Sequence, residues 1–162
     1  MTISIGASLP DATLSKMGAN GPETVSLASL TKGRKVVLFG LPGAFTGTCS
    51  TAHVPSFMRS ADALKAKGID EIICVAVNDP FVMDAWEKNT GAGEAGITML
   101  ADSSSELTKT IGMDFSVPAI GFQDRSKRYA LMAEDGAVKV LNLDEDAGVC
   151  NLSSGDTMLD AV

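Results

Sequence analysis

The sequence predicts an α/β domain in which a central mixed sheet is flanked by helices. Three observations carry this. Two continuous apolar runs, Lys35–Gly40 and Glu71–Val77, have the pattern of strands buried on both faces, and each is followed by a helical pattern. Near the C-terminus, two strand-like runs flank Glu134-Asp135-Gly136, a hairpin signal that adds antiparallel pairing to the parallel units. The chain has 162 residues, 45% of them hydrophobic, with no internal repeat and no low-complexity linker, so residues 1–162 are expected to form a single domain with a real core.

The elements follow in order. The N-terminal third reads as short strands and turns, with Asn20-Gly21-Pro22 a turn and Thr24–Leu27 a strand. The strand over Lys35–Gly40 leaves through Pro42-Gly43, and a helix then begins with Cys49 in its first turn. Val54, Phe57, Met58, Ala61 and Leu64 recur at three- and four-residue spacing and form its core face, which Lys67-Gly68 ends. Pro55 falls inside this pattern and is expected to kink it. After the strand Glu71–Val77, Asp79 caps a helix over Phe81–Lys88, with Pro80 at its first position. Ile97–Ala101 reads as a strand and Ser105–Ile111 as a short helix. Arg128–Ala133 and Ala137–Leu143 form the hairpin, and a Ser153-x-x-Asp156 box opens a terminal helix. The sum is a mixed sheet of the thioredoxin kind, not an all-parallel dinucleotide fold. Gly-x-Gly-x-x-Gly is absent, so nothing points to NAD, and no cofactor is expected.

Composition narrows the function. There are 13 basic and 20 acidic residues, a net charge of -7, which argues against nucleic acid or an anionic membrane as partner. The apolar runs are far too short to span a bilayer, and Met1-Thr2-Ile3-Ser4 shows no basic region leading into an apolar one, so a cytoplasmic location is expected. Three cysteines without a Cys-x-x-Cys pair make no disulfide scaffold, and a single histidine argues against a zinc site; no metal is expected. Metal-free redox chemistry remains open.

Cys49 is the candidate nucleophile. The first N–H groups of a helix lack intrahelical partners and carry the positive end of its dipole, so a thiol held there is pushed toward thiolate, the reactive form. An arbitrary cysteine is more often an inert core residue, but the Pro-Gly turn and the hydroxyl of Thr46 favour reactivity here. Thr46 is also a plain helix cap, which is compatible with a place beside the thiol. His53 lies four residues on, on the same helical face, and suggests a Cys–His pair; no orienting partner is evident, so a packed or capping role is expected. Phe45 and Phe122 are expected to wall a pocket or make a dimer contact. Met58, Met83, Met99, Met132 and Trp86 read as packing, and Arg128 read alone is a surface ion pair at a strand end.

Pro42-x-x-x-Thr46-x-x-Cys49 resembles the active-site signature of the peroxiredoxins. Pro42-Gly43-Ala44-Phe45-Thr46, Thr48-Cys49-Ser50, His53-Val54-Pro55 with Phe57, Asp70–Cys74, Val77-Asn78-Asp79, Phe81-Val82-Met83, Arg125–Ala130 and Asp135-Gly136 are similar to the atypical type II branch, in register over nearly the whole chain. The resemblance implies a thioredoxin-like fold and a thiol-dependent peroxidase acting on hydrogen peroxide and alkyl hydroperoxides. It makes Cys49 the peroxidatic cysteine, cycling through a sulfenic acid. Thr46 would hydrogen-bond the thiolate and the peroxide, Pro42 would shield the pocket, and Arg128 would stand beside the sulfur. The N–H groups of Thr48 and Cys49 would complete a donor cradle. Thioredoxin, glutaredoxin or glutathione would return the electrons, and the protein would be a homodimer. Position 47 departs from the family run, with Gly where proline is usual.

Two thiols are candidates for resolving the sulfenic acid. Cys74 sits in a buried-type strand; Cys150 follows the acidic run Asp144–Gly148 in an expected loop, which delivers a sulfur more cheaply than a strand does. Cys150 is therefore expected ahead of Cys74, with an external thiol as the third route. A reading of a different class is a redox-sensing interaction protein whose Cys49 is oxidised without turnover.

Overall fold

The computed structural model describes residues 1–162. Thr13–Gly18 (β1) and Gly21–Ser26 (β2) form an N-terminal hairpin, followed by Lys35–Leu41 (β3), Glu71–Ala76 (β4) and Ile97–Ala101 (β5). Asp114–Val117 (β6) and Phe122–Ser126 (β7) pair with each other alone, and Tyr129–Glu134 (β8) and Ala137–Leu143 (β9) form the C-terminal hairpin. The main sheet has seven strands in the order β2-β1-β5-β4-β3-β8-β9. β3, β4 and β5 are parallel; β8 pairs antiparallel with β3, which makes the sheet mixed as expected.

Helices Val54–Ala66 (α2), Pro80–Thr90 (α3) and Gly155–Ala161 (α5) cover one face, while Leu27–Thr31 (α1) and Glu106–Thr110 (α4) lie on the other. Alternate residues of β3 feed the two cores. Val37, Phe39 and Leu41 join Phe57, Leu64, Trp86 and Met158, whereas Val36 and Leu38 join Leu27, Leu107 and Tyr129. A strand covered on both sides must be apolar at every position, which is why β3 and β4 are unbroken runs. By the same alternation, Cys74 shares its face with Ile72, Ala76 and Cys49. No helix is long and apolar enough to cross a membrane.

Several elements differ from the sequence expectation, each for a local reason. Leu27 does not extend β2: the Ser26 hydroxyl accepts from Ser29 N–H and starts α1, and the Asp11 carboxylate accepts from Ala28 N–H. The segment Cys49–His53 is a π-helical turn in which Val54 N–H reaches back to Cys49 O. Pro55 therefore sits in the first turn of α2, where its missing N–H is tolerated, and does not kink a continuous helix. Ser154, not Ser153, caps α5, because the Asp144 carboxylate already holds Ser153 through its N–H and hydroxyl.

Candidate active site

β3 ends at Leu41 in the middle of the sheet and delivers the chain into the loop 42–46. Two side chains brace that loop. Asn78 Oδ1 accepts from Ala44 N–H at 2.9 Å, and Arg125 Nη1 donates to Pro42 O at 3.0 Å. A Cβ on Gly43 would collide with Arg125 Nη1, so this position needs glycine for the brace to close. Phe45 takes a left-handed backbone, φ 61°, and its ring is exposed, whereas Phe122 lines the adjacent cleft.

The Thr46 hydroxyl donates to Gly43 O at 2.6 Å and does not cap the following turn. A hydroxyl has one proton. With it committed to Gly43, Thr46 is left as an acceptor on the cleft side and cannot also donate to the sulfur.

Gly47 and Thr48 are already helical. Gly47 lies outside the left-handed region, its amide has no partner in the chain, and a Cβ there meets nothing within 4 Å. Those are the conditions under which proline at a first helical position is stabilising. Gly47→Pro should raise stability by about 0.4–1 kcal/mol and Tm by about 1–4 °C, with activity retained or higher. A lower Tm in a calorimetric melt would show that the loop needs a backbone that proline cannot adopt.

Cys49 is fully buried, and Arg128 Nη2 lies 3.2 Å from its Sγ. The two residues are 79 positions apart and meet because β8, which Arg128 precedes, pairs with β3. Arg128 is 1% exposed and makes no ion pair, which overturns the surface-bridge alternative. Its other bonds go to Ala147 O, from Nε at 3.0 Å and Nη2 at 2.8 Å, and from Nη1 to His53 Nδ1 at 3.0 Å. Burying a guanidinium without a counter-charge costs several kcal/mol. Among its acceptors, only Cys49 Sγ is able to become an anion.

His53 is also fully buried, packed against the stacked rings of Phe39 and Phe57. Its Nε2 lies 2.9 Å from Ser153 O, and burial lowers its pKa to about 3, with the Arg128 charge adding to the effect. Both ring nitrogens are engaged, neither with Cys49, so no Cys–His general-base pair exists here. The expected packed role holds, although the sequence concealed its two partners. The loop 144–153 closes over these residues. Asp144 accepts from the N–H groups of Asn151, Leu152 and Ser153 and from the Ser153 hydroxyl at 2.5 Å. These bonds hold its carboxyl below the usual range despite the opposing cost of burial. The same loop presents Gly148 O to the Thr48 hydroxyl at 2.7 Å.

Pro42, Thr46, Thr48, Phe122, Arg128 and Gly148 contribute to the lining of an open cleft of about 370 Å³ that ends on the residues around the sulfur. Thr48 N–H has no partner within the chain, as expected of a first-turn donor. Cys74 lies fully buried in mid-sheet, between Phe39 of β3 and Met99 of β5, and burial pushes its thiol well up. Cys150 is half-buried in the loop 144–153, its thiol also raised by burial. All three cysteines are free.

Comparison with known proteins gives one answer. The Redoxin family model matches residues 4–159. The chain is 52% identical to Peroxiredoxin-2E-2, chloroplastic, of Oryza sativa subsp. japonica, over 99% of this chain and 73% of that protein. With Peroxiredoxin-2B of Arabidopsis thaliana it shares 45% identity, over 99% and 98% of the two chains. The chain is a peroxiredoxin. Among solved structures, reduced Prx3 in complex with hydrogen peroxide from Vibrio vulnificus superposes with a TM-score of 0.92 at 42% identity, over 99% of both chains. The fold is thus the thioredoxin-like fold of the peroxiredoxins, the relatives place the chain in the type II branch, and the protein is a thiol-dependent peroxidase.

Proposed function

We propose that Cys49 is the peroxidatic thiol and that Arg128, Thr46, Thr48 and Pro42 form its peroxide site, within a single domain over residues 1–162. The observation that carries this is the buried Arg128 guanidinium, which has no carboxylate partner and a thiol 3.2 Å away. The Cys49 thiolate attacks one peroxide oxygen, the O–O bond breaks, and two electrons pass from sulfur to the peroxide. Sulfur keeps one oxygen as sulfenic acid, and the other leaves as water or alcohol after taking a proton. Thr46 accepts the peroxide O–H, Arg128 and the free N–H groups of Thr48 and Cys49 donate to the oxygens, and Pro42 shields the sulfur from water. Hydrogen peroxide, bound in the Vibrio vulnificus relative, is one substrate, and the cleft beside Phe122 has room for alkyl hydroperoxides.

Donor geometry matters more than ionisation. An ordinary thiol with a pKa of ~8.5 is about 3% ionised at neutral pH, so complete ionisation gives only about a 30-fold gain. The rest of the acceleration comes from donors that hold the peroxide in line and meet charge on the departing oxygen. A sensor needs no such cradle, which favours the enzyme over the redox-sensing reading. The test is turnover with thioredoxin, glutaredoxin or glutathione as reductant. Many equivalents of peroxide consumed per chain mean an enzyme; a stop after one equivalent means a sensor.

For resolution we propose Cys150, on grounds of access. Cys74 is locked by ladder bonds on both sides, whereas Cys150 lies in a loop. Either sulfur reaches Cys49 only if the turn around Cys49 opens, since a disulfide needs Cα atoms within about 7 Å. Peptide mapping after one equivalent of peroxide should give a Cys49–Cys150 disulfide with Cys74 free. A Cys49–Cys74 peptide refutes this order, and persistent sulfenic acid assigns resolution to the external thiol. A homodimer is proposed from the exposed Phe45 and Ile120 beside the cleft, 55% and 64% accessible, and sedimentation decides it. Three free cysteines fit a reducing compartment, and the cytoplasm is the one proposed. The rice relative's name makes the chloroplast the alternative, and fractionation separates the two.

A further inference from the structure

We propose that His53 is a positioning residue, a neutral imidazole whose Nδ1 accepts from Arg128 and so aims the guanidinium at Cys49. This rests on the peroxidase reading and adds to it the group that sets the arginine's direction.

The tautomer follows from the partners. Ser153 O can only accept, so His53 Nε2, 2.9 Å away, carries the proton. Nδ1 is then a bare lone pair, and it meets Arg128 Nη1 at 3.0 Å. A protonated ring has no acceptor to offer a cation, so this contact exists only while the imidazole is neutral. The depressed pKa of about 3 keeps it neutral over the range in which thiols react. The charged groups felt by the ring are Arg128 at the start of β8 and Asp144 in the loop 144–153; Cys49 does not bond to it.

The ring is fixed, so the acceptor is fixed. Phe39 and Phe57 hold it at centroid distances of 4.9 and 5.7 Å. Ser153 O anchors its far side, and the Asp144 carboxylate fixes the backbone that carries this oxygen by accepting from the N–H groups of residues 151–153 and from the Ser153 hydroxyl. Arginine has a long flexible stem but a rigid planar fork. Ala147 O takes the edge formed by Nε and Nη2, and alone leaves the plane free to swing about that edge. The bond from Nη1 to His53 is the second fixed point, and it leaves an Nη2 proton directed at Sγ. The run is continuous from Asp144 through Ser153, His53 and Arg128 to Cys49.

A double-mutant cycle tests this, read as the second-order rate of Cys49 oxidation by hydrogen peroxide. His53→Leu should lower that rate by about 10–100-fold, the cost of a misdirected catalytic group, and move the rate–pH profile upward. His53→Asn retains an acceptor near the Nδ1 position and should recover the larger part of the loss. In the Arg128→Met background there is no guanidinium left to aim, so His53→Leu should change the rate by less than about twofold. If His53→Leu does not fold, His53→Met takes its place in the cycle, since it fills the same buried space and offers the guanidinium no nitrogen or oxygen acceptor. An undiminished His53 effect without Arg128, or equal losses in the Asn and Leu variants, would overturn the proposal. Wild-type turnover, measured alongside, reports on the peroxidase reading separately. Should the wild type not turn over, the cycle is read on mapped alkylation of Cys49 by iodoacetamide against pH, where the same two outcomes apply.

Discussion

Cys49→Ser abolishes peroxide turnover, down to the rate of free solution, while the protein melts close to wild type. Oxygen is slightly smaller than sulfur, so the fully buried position still packs, and the serine oxygen still accepts from Arg128 Nη2. The chemistry is what disappears. A serine hydroxyl stays protonated at neutral pH, and it has no accessible oxidation state corresponding to sulfenic acid. Peroxide consumption with a dithiol, together with a thermal melt, measures both halves of the expectation. Turnover surviving in this variant would move the chemistry to Cys74 or Cys150.

Arg128→Met lowers the rate of Cys49 oxidation by about 10²–10³, the typical cost of removing one preorganised donor from the reacting atoms. Methionine keeps much of the stem volume and removes the charge. Ala147 O and His53 Nδ1 lose their donors, and Cys49 Sγ loses its cationic neighbour. The fall should be largest near neutral pH and smaller at high pH, where free thiols ionise unaided. A residual deficit at high pH measures the part owed to holding the peroxide. A rate unchanged over the whole pH range would reduce Arg128 to a packing residue.

What was legible in the sequence is what local patterns encode. β3 and β4 are legible because burial on both faces leaves no polar position in the run. α3 is legible because Asp79 accepts from Val82 N–H and Pro80 occupies the first turn, both local events. β6 and β7 are not: the pair is short, largely exposed or half-exposed, and shifts register between Phe115 and Val117, so no alternation survives. The π turn at Cys49–His53 is equally silent, since the same side chains serve a bond reaching four or five residues back. In the site, Pro42, Thr46 and Cys49 are one local string. Arg128 reaches the sulfur only through the β3–β8 pairing, so residue patterns alone favoured a surface ion pair and only the family resemblance pointed inward. The ties of Asp144 and His53 run through Ser153, and carbonyl oxygens leave no mark in a sequence.

The central claim is that the Cys49 sulfur, beside Arg128, takes the peroxide oxygen. The direct measurement is rapid mixing of the reduced protein with one equivalent of hydrogen peroxide, trapping of sulfenic acid with dimedone, and peptide mapping. The adduct should form on the Cys49 peptide, faster than any on the Cys74 or Cys150 peptides, and be strongly diminished in Arg128→Met. First oxidation at Cys74 or Cys150, or equal labelling of Cys49 with and without Arg128, would contradict it.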